Sequence, residues 1–426
     1  MLDKSLRDSI IRLIKSEVIP AIGCTEPMAV ALCVAKATSL LDKEPDHISV
    51  TLSGNMLKNA MGVGIPGTGM SGLKVAIALG ALAGKAELGL EVLRDITPED
   101  VEAAKSYMDK ELIDIQVDQN APSKLFISVV VSNGKNEATA VIAGSHTNFI
   151  SLTHNEETIL DKPFNSDENE QCDCPELSLG KVWEFATESP LDELEFILEA
   201  KELNMNAARH AMEGGFGHEL GHTMSKRGHV YFGNSTIQRM LAYTSAACDA
   251  RMAGALIPVM SNSGSGNQGI TATVPVVTFA ADCGASLEQT IRALGLSHLT
   301  SIYIQQSLGR LSALCGCVVA STGASAGIVY LMGGNYREVT YAVKNMVANL
   351  TGMICDGAKP ACALKISSGV GTALMSAMMA MNGRCVASTE GIVAEDVDDT
   401  IHNLTSIGRD AMDDIDSLVL QIMTSK

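Results

Sequence analysis

Hydrophobic and polar positions along the 426-residue chain follow two rhythms. In the first third, helical and strand patterns alternate. Met1–Val18 (MLDKSLRDSIIRLIKSEV) threads charges through its apolar positions and reads as an amphipathic helix. Thr25, ahead of Glu26 and Pro27, is placed to N-cap a second helix running to about Leu41. His47–Ser53 (HISVTLS) alternates as a strand, Leu73–Leu88 reads as a small-residue helix, and Thr97-Pro98-Glu99-Asp100 opens another. Leu125–Ser132 and Glu137–Ala143 flank Asn133-Gly134, a strong hairpin-turn dipeptide. Residues 1–153 are therefore expected to form an α/β domain with a partly antiparallel sheet.

Residues 154–178 turn acidic and polar (HNEETILDKPFNSDENEQCDCPELS) and read as an exposed linker or excursion. Beyond them strand patterns nearly vanish. Helical periodicity covers Leu191–Glu213, Thr236–Ile257, Leu287–Leu308, Val339–Ile354, Val370–Met381 and Ala411–Thr424, so residues 179–426 are expected to form an all-helical domain. The fold class predicted is α+β. With 4% aromatic residues and 38 glycines, the helices must approach through Ala, Gly and Ser, and 21 methionines fill the irregular gaps. No repeat of fixed period is present.

Composition narrows the function. Hydrophobic residues make up 46% of the chain, enough for two or three cores. A formal charge of −18 repels the phosphate backbone of nucleic acids and anionic membrane surfaces, so neither is an expected partner. The charged N-terminal segment has no signal-peptide pattern, which predicts a cytoplasmic protein. Met252–Ala281 and Leu311–Tyr336 carry no formal charge and imitate membrane spans. The first is broken by Pro258, Pro275 and SNSGSGNQG, the second is crowded with Gly, Ser and Thr, and both read as buried core. Eleven cysteines without an export signal point to thiols, metal ligands or catalytic groups rather than a disulfide framework.

Three motifs have weak readings. His218-Glu219-Leu220-Gly221-His222 matches the HExxH pattern of zinc hydrolases, but Gly214, Gly215, Gly217 and Gly221 interrupt the helix it needs. Gly62-Val63-Gly64-Ile65-Pro66-Gly67 matches a dinucleotide fingerprint without the preceding strand. The wider run Met61–Gly72 still demands close backbone approach, to substrate or to the other domain. Cys172-Asp173-Cys174 lies in the acidic segment and reads as exposed thiols.

The other cysteines carry more information. Cys315-Gly316-Cys317 opens a charge-free helix, and Cys355 and Cys362 frame Asp356-Gly357-Ala358-Lys359-Pro360. Iron–sulfur clusters need thiolates delivered from loops and helix ends with little crowding. Cys33 and Cys248 read as buried apolar residues. Taken together, Ala21–Pro27 (AIGCTEP), Met61–Gly72, Ser261–Gly269 (SNSGSGNQG), Leu314–Cys317 and Ile354–Lys365 (ICDGAKPACALK) resemble the cysteine desulfidase branch of the iron–sulfur L-serine dehydratase α-chain family, over nearly the whole chain.

The resemblance implies a 4Fe–4S cluster on three thiolates and elimination from L-cysteine to pyruvate, ammonia and sulfide, with L-serine ammonia-lyase activity as the alternative. It places ligands at Cys315 or Cys317, at Cys355 and at Cys362. It implicates Cys24 either as a ligand or as an active-site thiol. Where the dehydratases carry a Ser-Ser-His-Thr loop, this chain has Cys24-Thr25-Glu26, which leaves the proton-transfer residue open. Cys24, Glu26 and His146 are the catalytic candidates, His146 because imidazole titrates near working pH. Thr25, Ser263, Gly264, Gly266, Asn267 and Lys359 are the substrate-binding candidates. The loop Ser261–Gly269 is an apt nest for a carboxylate, and Lys359 beside Pro360 reads as a carboxylate clamp. A small amino-acid substrate and a homo-oligomer are expected. The rivals are an iron–sulfur redox sensor with four protein thiolates and a zinc hydrolase on His218 and His222.

Overall fold

Apolar residues on alternate positions of three strands meet two almost entirely apolar helices, and this defines one half of the molecule. The computed structural model describes residues 2–164, 174–309 and 311–426. The chain opens with α1 (Lys4–Glu17), β1 (Pro20–Ala21), α2 (Thr25–Thr38), β2 (His47–Ser53), α3 (Gly54–Ala60), α4 (Leu73–Leu82) and α5 (Pro98–Met108). It continues through β3 (Ile113–Asp118), β4 (Phe126–Asn133), β5 (Asn136–Ala143), β6 (Phe149–His154) and β7 (Glu157–Asp161). The sheet runs β3-β2-β4-β5-β6-β7, with β2 and β3 parallel and the remaining pairs antiparallel. Ile48, Val50, Leu52, Ile127, Val129, Val131, Ala140 and Ile142 pack with α2 and α4 in one core.

The remainder is helical: α6 (Leu179–Glu188), α7 (Leu198–Ala211), α8 (Leu220–Phe232), α9 (Thr236–Met252), β8 (Val259–Met260), α10 (Gly266–Asp282), α11 (Leu287–Leu308) and α12 (Gly316–Leu331). Then come α13 (Tyr336–Leu350), α14 (Cys362–Met381), α15 (Val397–Asp410) and α16 (Asp413–Thr424). The α+β class follows from these elements. Small residues let the helices close up, as the composition predicts. A Cβ on Gly323 of α12 would lie 2.2 Å from the Ser297 carbonyl of α11.

Local signals hold where they are local. Thr97 and Asp100 form a capping box for α5, and Asn133 pairs with Asn136 across a turn in which Gly134 has φ 63. Other boundaries shift. Cys24, not Thr25, is the N-cap of α2, and α4 stops at Leu82 before a 3-10 turn over Ala86–Glu91. Strand β7 lies within the acidic segment 154–178, paired to β6. Cys172 and Asp173 lie outside the described residues.

The two apolar stretches resembling membrane spans form α10 and α12, both buried among other helices. Helix α10 runs through Pro275, and Ser297 Oγ donates to the Ala272 carbonyl near that break (2.7 Å). Among the described residues one helix, Cys362–Met381, is long and apolar enough to cross a membrane, and it packs against α9, α12 and α13.

Both chain ends cross between the halves. Ile10, Leu13 and Ile14 of α1 sit in the helical core, β1 pairs with β8, and α16 packs on α3. The Met61–Gly72 run makes its close approach to the helical half. Gly64 N–H donates to the Met252 carbonyl and Gly67 N–H to that of Gly254, and a Cβ on Gly64 would lie 2.4 Å from Ala253.

Candidate active site

Four helices begin at one place. Cys24 caps α2, Ser265 caps α10, Cys315 caps α12, and Cys362 is the first residue of α14. All four residues line a cavity of about 110 Å³, together with Glu26, Arg251, Asn267, Cys317, Cys355 and Lys365. A second cavity of about 120 Å³ adds His146, Ser263 and Gln305, and shares Glu26, Asn59, Gly264, Ser265, Gln268, Gly316 and Cys355 with the first. The two form one bent cleft between the halves. Each helix start presents unpaired N–H groups and a partial positive charge, so the cleft favours thiolates and carboxylates.

Glu26 is the hub. Its Oε2 accepts from Cys24 Sγ (2.9 Å) and lies 3.1 Å from Thr25 Oγ1; its Oε1 accepts from Asn59 Nδ2 (3.1 Å). Thr25 Oγ1 is also 3.2 Å from the Gly264 carbonyl, tying α2 to the helical half. Burial opposes ionisation of Glu26, but His146, the Cys24 hydrogen bond and Arg251 hold its carboxyl below the usual range. The same burial, reinforced by the Glu26 charge, pushes the Cys24 thiol well up, so Cys24 carries its proton.

The thiols arrive on paired backbone. Leu314 and Ile354 form an antiparallel bridge, Cys315 N–H donates to the Met353 carbonyl (3.0 Å) and Cys355 N–H to that of Ala313 (2.6 Å). Cys362 Sγ lies 3.7 Å from the Gly357 carbonyl, whereas Cys317 Sγ donates to the Lys365 carbonyl (3.1 Å). A Cβ on Gly369 would lie 2.5 Å from Cys317 Sγ, so Cys317 is wedged between α12 and α14. Burial raises Cys315 to about 12 and Cys317 and Cys362 above the ordinary thiol range. Among the described residues no set of three His, Cys, Asp or Glu groups closes on a single point as one metal ion requires. The thiols instead stand around the cavity wall, and a cluster takes each ligand at a different iron.

The loop before α10 turns sharply, with φ 50 at Ser263 and 79 at Gly264, and Asn262 and Ser265 exchange backbone hydrogen bonds. Behind it, His298 Nδ1 accepts from Asn262 Nδ2 (3.1 Å) and its Nε2 donates to Thr273 Oγ1 (2.9 Å), and burial depresses its pKa to about 3. That neutral imidazole pins the loop.

Of the residues singled out in the sequence, Cys24, Thr25, Glu26, His146, Ser263, Gly264, Asn267, Cys315, Cys317, Cys355 and Cys362 all line the cleft. Gly266 packs beneath Arg251 without lining it, and Lys359 is committed to Asp356 and the Asp356 and Gly357 carbonyls. Lys365 lines the cleft instead, donating to the Ile354 carbonyl (2.8 Å) and pairing with Asp356, whose carboxyl the two lysines bring to about 2 against its burial. His218 lies outside α8, because Glu219 takes φ 54 and the helix starts at Leu220. His222 Nδ1 contacts the Met212 carbonyl (2.9 Å).

Asn59, Arg251, Gln268 and Lys365 were not singled out by the sequence as site residues. Arg251 had one signal: it is the last charge before a stretch of thirty uncharged residues.

A sequence profile described as serine dehydratase alpha chain matches residues 87–421. The UPF0597 protein of Phocaeicola vulgatus is 60% identical over 428 residues, covering 100% of this chain and 99% of its own length. That of Bacteroides thetaiotaomicron is 60% identical over 426 residues, covering 99% of each, and that of Porphyromonas gingivalis 52% over 432 residues, covering 100% of each. The chain belongs to the serine dehydratase alpha chain family, a family of lyases of the serine dehydratase type.

Proposed function

We propose that this protein is an iron–sulfur-dependent lyase that eliminates the β-thiol of L-cysteine, giving pyruvate, ammonia and sulfide with uptake of one water. The observation carrying this reading is the convergence of Cys315, Cys355 and Cys362 with the Cys24–Glu26 pair on one cleft. The donor set fits a 4Fe–4S cluster: several soft sulfur donors, the Sγ atom of Cys355 free of hydrogen bonds to described residues, and helix starts with Lys365 to offset thiolate charge. Cys315, Cys355 and Cys362 would hold it. The engagement of Cys317 with the Lys365 carbonyl favours Cys315 in that place. When bound, such a cluster with three protein ligands supplies a Lewis acid that eases departure of the β-substituent.

The chain's own groups handle protons and orientation. His146, on the far side of Glu26, takes the α-proton, and Glu26 stabilises the imidazolium so formed. Cys24 donates its proton toward the departing sulfur, and Glu26, hydrogen-bonded to Cys24, restores it through solvent. The aminoacrylate released tautomerises to an imine, and water converts this to the keto acid and ammonia. The Ser263–Asn267 loop and the start of α10 receive the charged end groups of the substrate.

The test is an anaerobic assay on both amino acids. Cysteine is expected to show the higher kcat/KM, because its thiol, with a pKa of roughly 8.5, yields its proton far more readily than the serine hydroxyl. Cys24→Ser is expected to cut activity by at least ~10²-fold. A higher kcat/KM for serine, or wild-type activity in Cys24→Ser, replaces this reading with the serine ammonia-lyase.

A further inference from the structure

Arg251 is the penultimate residue of α9 and 4% exposed, yet its guanidinium donates no hydrogen bond to a described residue and pairs with no described carboxylate. Its Nε is buried without a partner. It lies over the first residue of α10, so close that a Cβ on Gly266 would be 2.2 Å from Nε and would displace the guanidinium. A buried guanidinium whose N–H groups have no acceptor is costly unless a ligand supplies one. Glu26 feels the Arg251 charge, yet its oxygens accept from Cys24, Thr25 and Asn59 and not from the guanidinium.

Two buried acceptors face the same cavity. Asn267 Oδ1 and Gln268 Oε1 have no partner, although the amide nitrogens of both are engaged, Asn267 with Met252 Sδ (3.4 Å) and Gln268 with Gln305 Oε1 (3.1 Å). One cation without an acceptor and two acceptors without a donor, within a single small cavity, form the complement of a zwitterion. We infer that Arg251 is the residue that reads the α-carboxylate of the substrate, through its two-pronged guanidinium, while Asn267 and Gln268 accept from the α-ammonium. This deepens the lyase reading and rests on it for the identity of the zwitterion. It also assigns the carboxylate to a side chain that can discriminate α-amino acids from simple thiols.

Two thiols divide the zwitterion: 3-mercaptopropionate keeps the carboxylate and cysteamine keeps the ammonium. Binding of each to the anaerobic holoenzyme is measured by calorimetry for wild type, Arg251→Gln, Arg251→Lys and Gln268→Met, with iron and sulfide content determined for every sample. Arg251→Gln is expected to weaken 3-mercaptopropionate by at least ~10-fold and leave cysteamine unchanged, the scale of one charge-assisted hydrogen bond. Arg251→Lys recovers part of the loss, because it restores the charge without the fork. Gln268→Met should show the reverse selectivity. Equal weakening of both thiols in both variants, or no weakening, overturns the assignment. Loss of iron in Arg251→Gln overturns it too, showing that the charge serves the cluster. If wild type turns over neither cysteine nor serine while the crossed pattern of binding holds, the lyase reading fails and the zwitterion site stands.

Discussion

Lys58 forms an ion pair with Asp416, a residue 358 positions further along the chain, and both side chains are nearly removed from solvent. The pair clamps α16 against α3. Asn55 of the same helix donates to the other Asp416 oxygen (2.8 Å), and the next residue after Lys58, Asn59, holds Glu26. A Cβ on Gly357, inside the cysteine loop, would lie 2.2 Å from the Lys58 carbonyl. The C-terminal helix is therefore a structural support of the candidate site. A wider groove of about 420 Å³ runs along this clamp on the side away from the cysteines.

Breaking that clamp should be costly. Lys58→Met strands Asp416, and removal of one member of a buried pair typically costs about 3–5 kcal/mol. The urea midpoint of the variant should fall accordingly, and a Lys58→Met, Asp416→Leu double variant should recover much of the loss. A midpoint within error of wild type for the single variant would show that the pair contributes nothing.

Cluster retention should separate the cysteine loop from the HExxH segment. Anaerobic wild-type protein is expected to carry about four iron and four sulfide per chain, as one such cluster requires. Cys355→Ser should lose both elements, and His218→Ala should keep both. Stoichiometric zinc without iron, lost in His218→Ala, would return the protein to the zinc hydrolases.

Glu26→Gln keeps the size of the side chain and its contacts with Asn59 while removing the charge. Turnover should fall by ~10²–10⁴-fold, the usual scale for a positioned proton-transfer group, with iron content unchanged. A variant that retains full kcat would show Glu26 to be only a spacer.

Asp249, 1% exposed on α9, accepts from the Gly221 N–H (2.9 Å), but burial raises its pKa from 3.8 to about 6. The folded pKa lies above the unfolded one, so the associated stability is fully present below roughly pH 4 and is lost as pH rises through 6. Asp249→Asn keeps an acceptor for Gly221 without the charge. Its thermal midpoint should exceed that of wild type at pH 7 and converge with it near pH 4. A difference that does not vary with pH would contradict this account.

Much of the fold is legible because its causes are local. The capping box at Thr97, the Asn133-Gly134 turn and the alternation of His47–Ser53 act within a few residues, and each element forms where its signals stand. The Cys315-Gly316-Cys317 motif likewise opens α12, whereas α14 begins at Cys362, ahead of the expected start at Val370. Elements that depend on distant partners are not legible in the same way. Strand β3 forms by parallel pairing to β2, sixty-five positions earlier (Ile48 with Ile113), and β7 by pairing to β6 inside a stretch whose polarity reads as linker. Helix α10 survives Pro275 and a glycine-rich start because neighbouring helices bury it and Ser297 serves a carbonyl near the break.

For the site, the sequence by itself determined the chemistry available: soft thiol donors, the Cys24-Thr25-Glu26 triplet and the glycine loop before α10. Which cation completes that chemistry was decided only by the tertiary structure. The sequence favours Lys359, beside Pro360, as the carboxylate clamp, yet the turn at Gly357 folds Lys359 onto Asp356 and its own loop carbonyls and leaves Lys365 on the cleft wall. Arg251 sits at the end of a different helix, and its charge matters because packing against Gly266 encloses it beside Glu26 without giving it a partner. Burial and the lack of a hydrogen-bond acceptor are properties of the assembled chain, set by contacts between segments far apart in sequence, and no local pattern of residues encodes them.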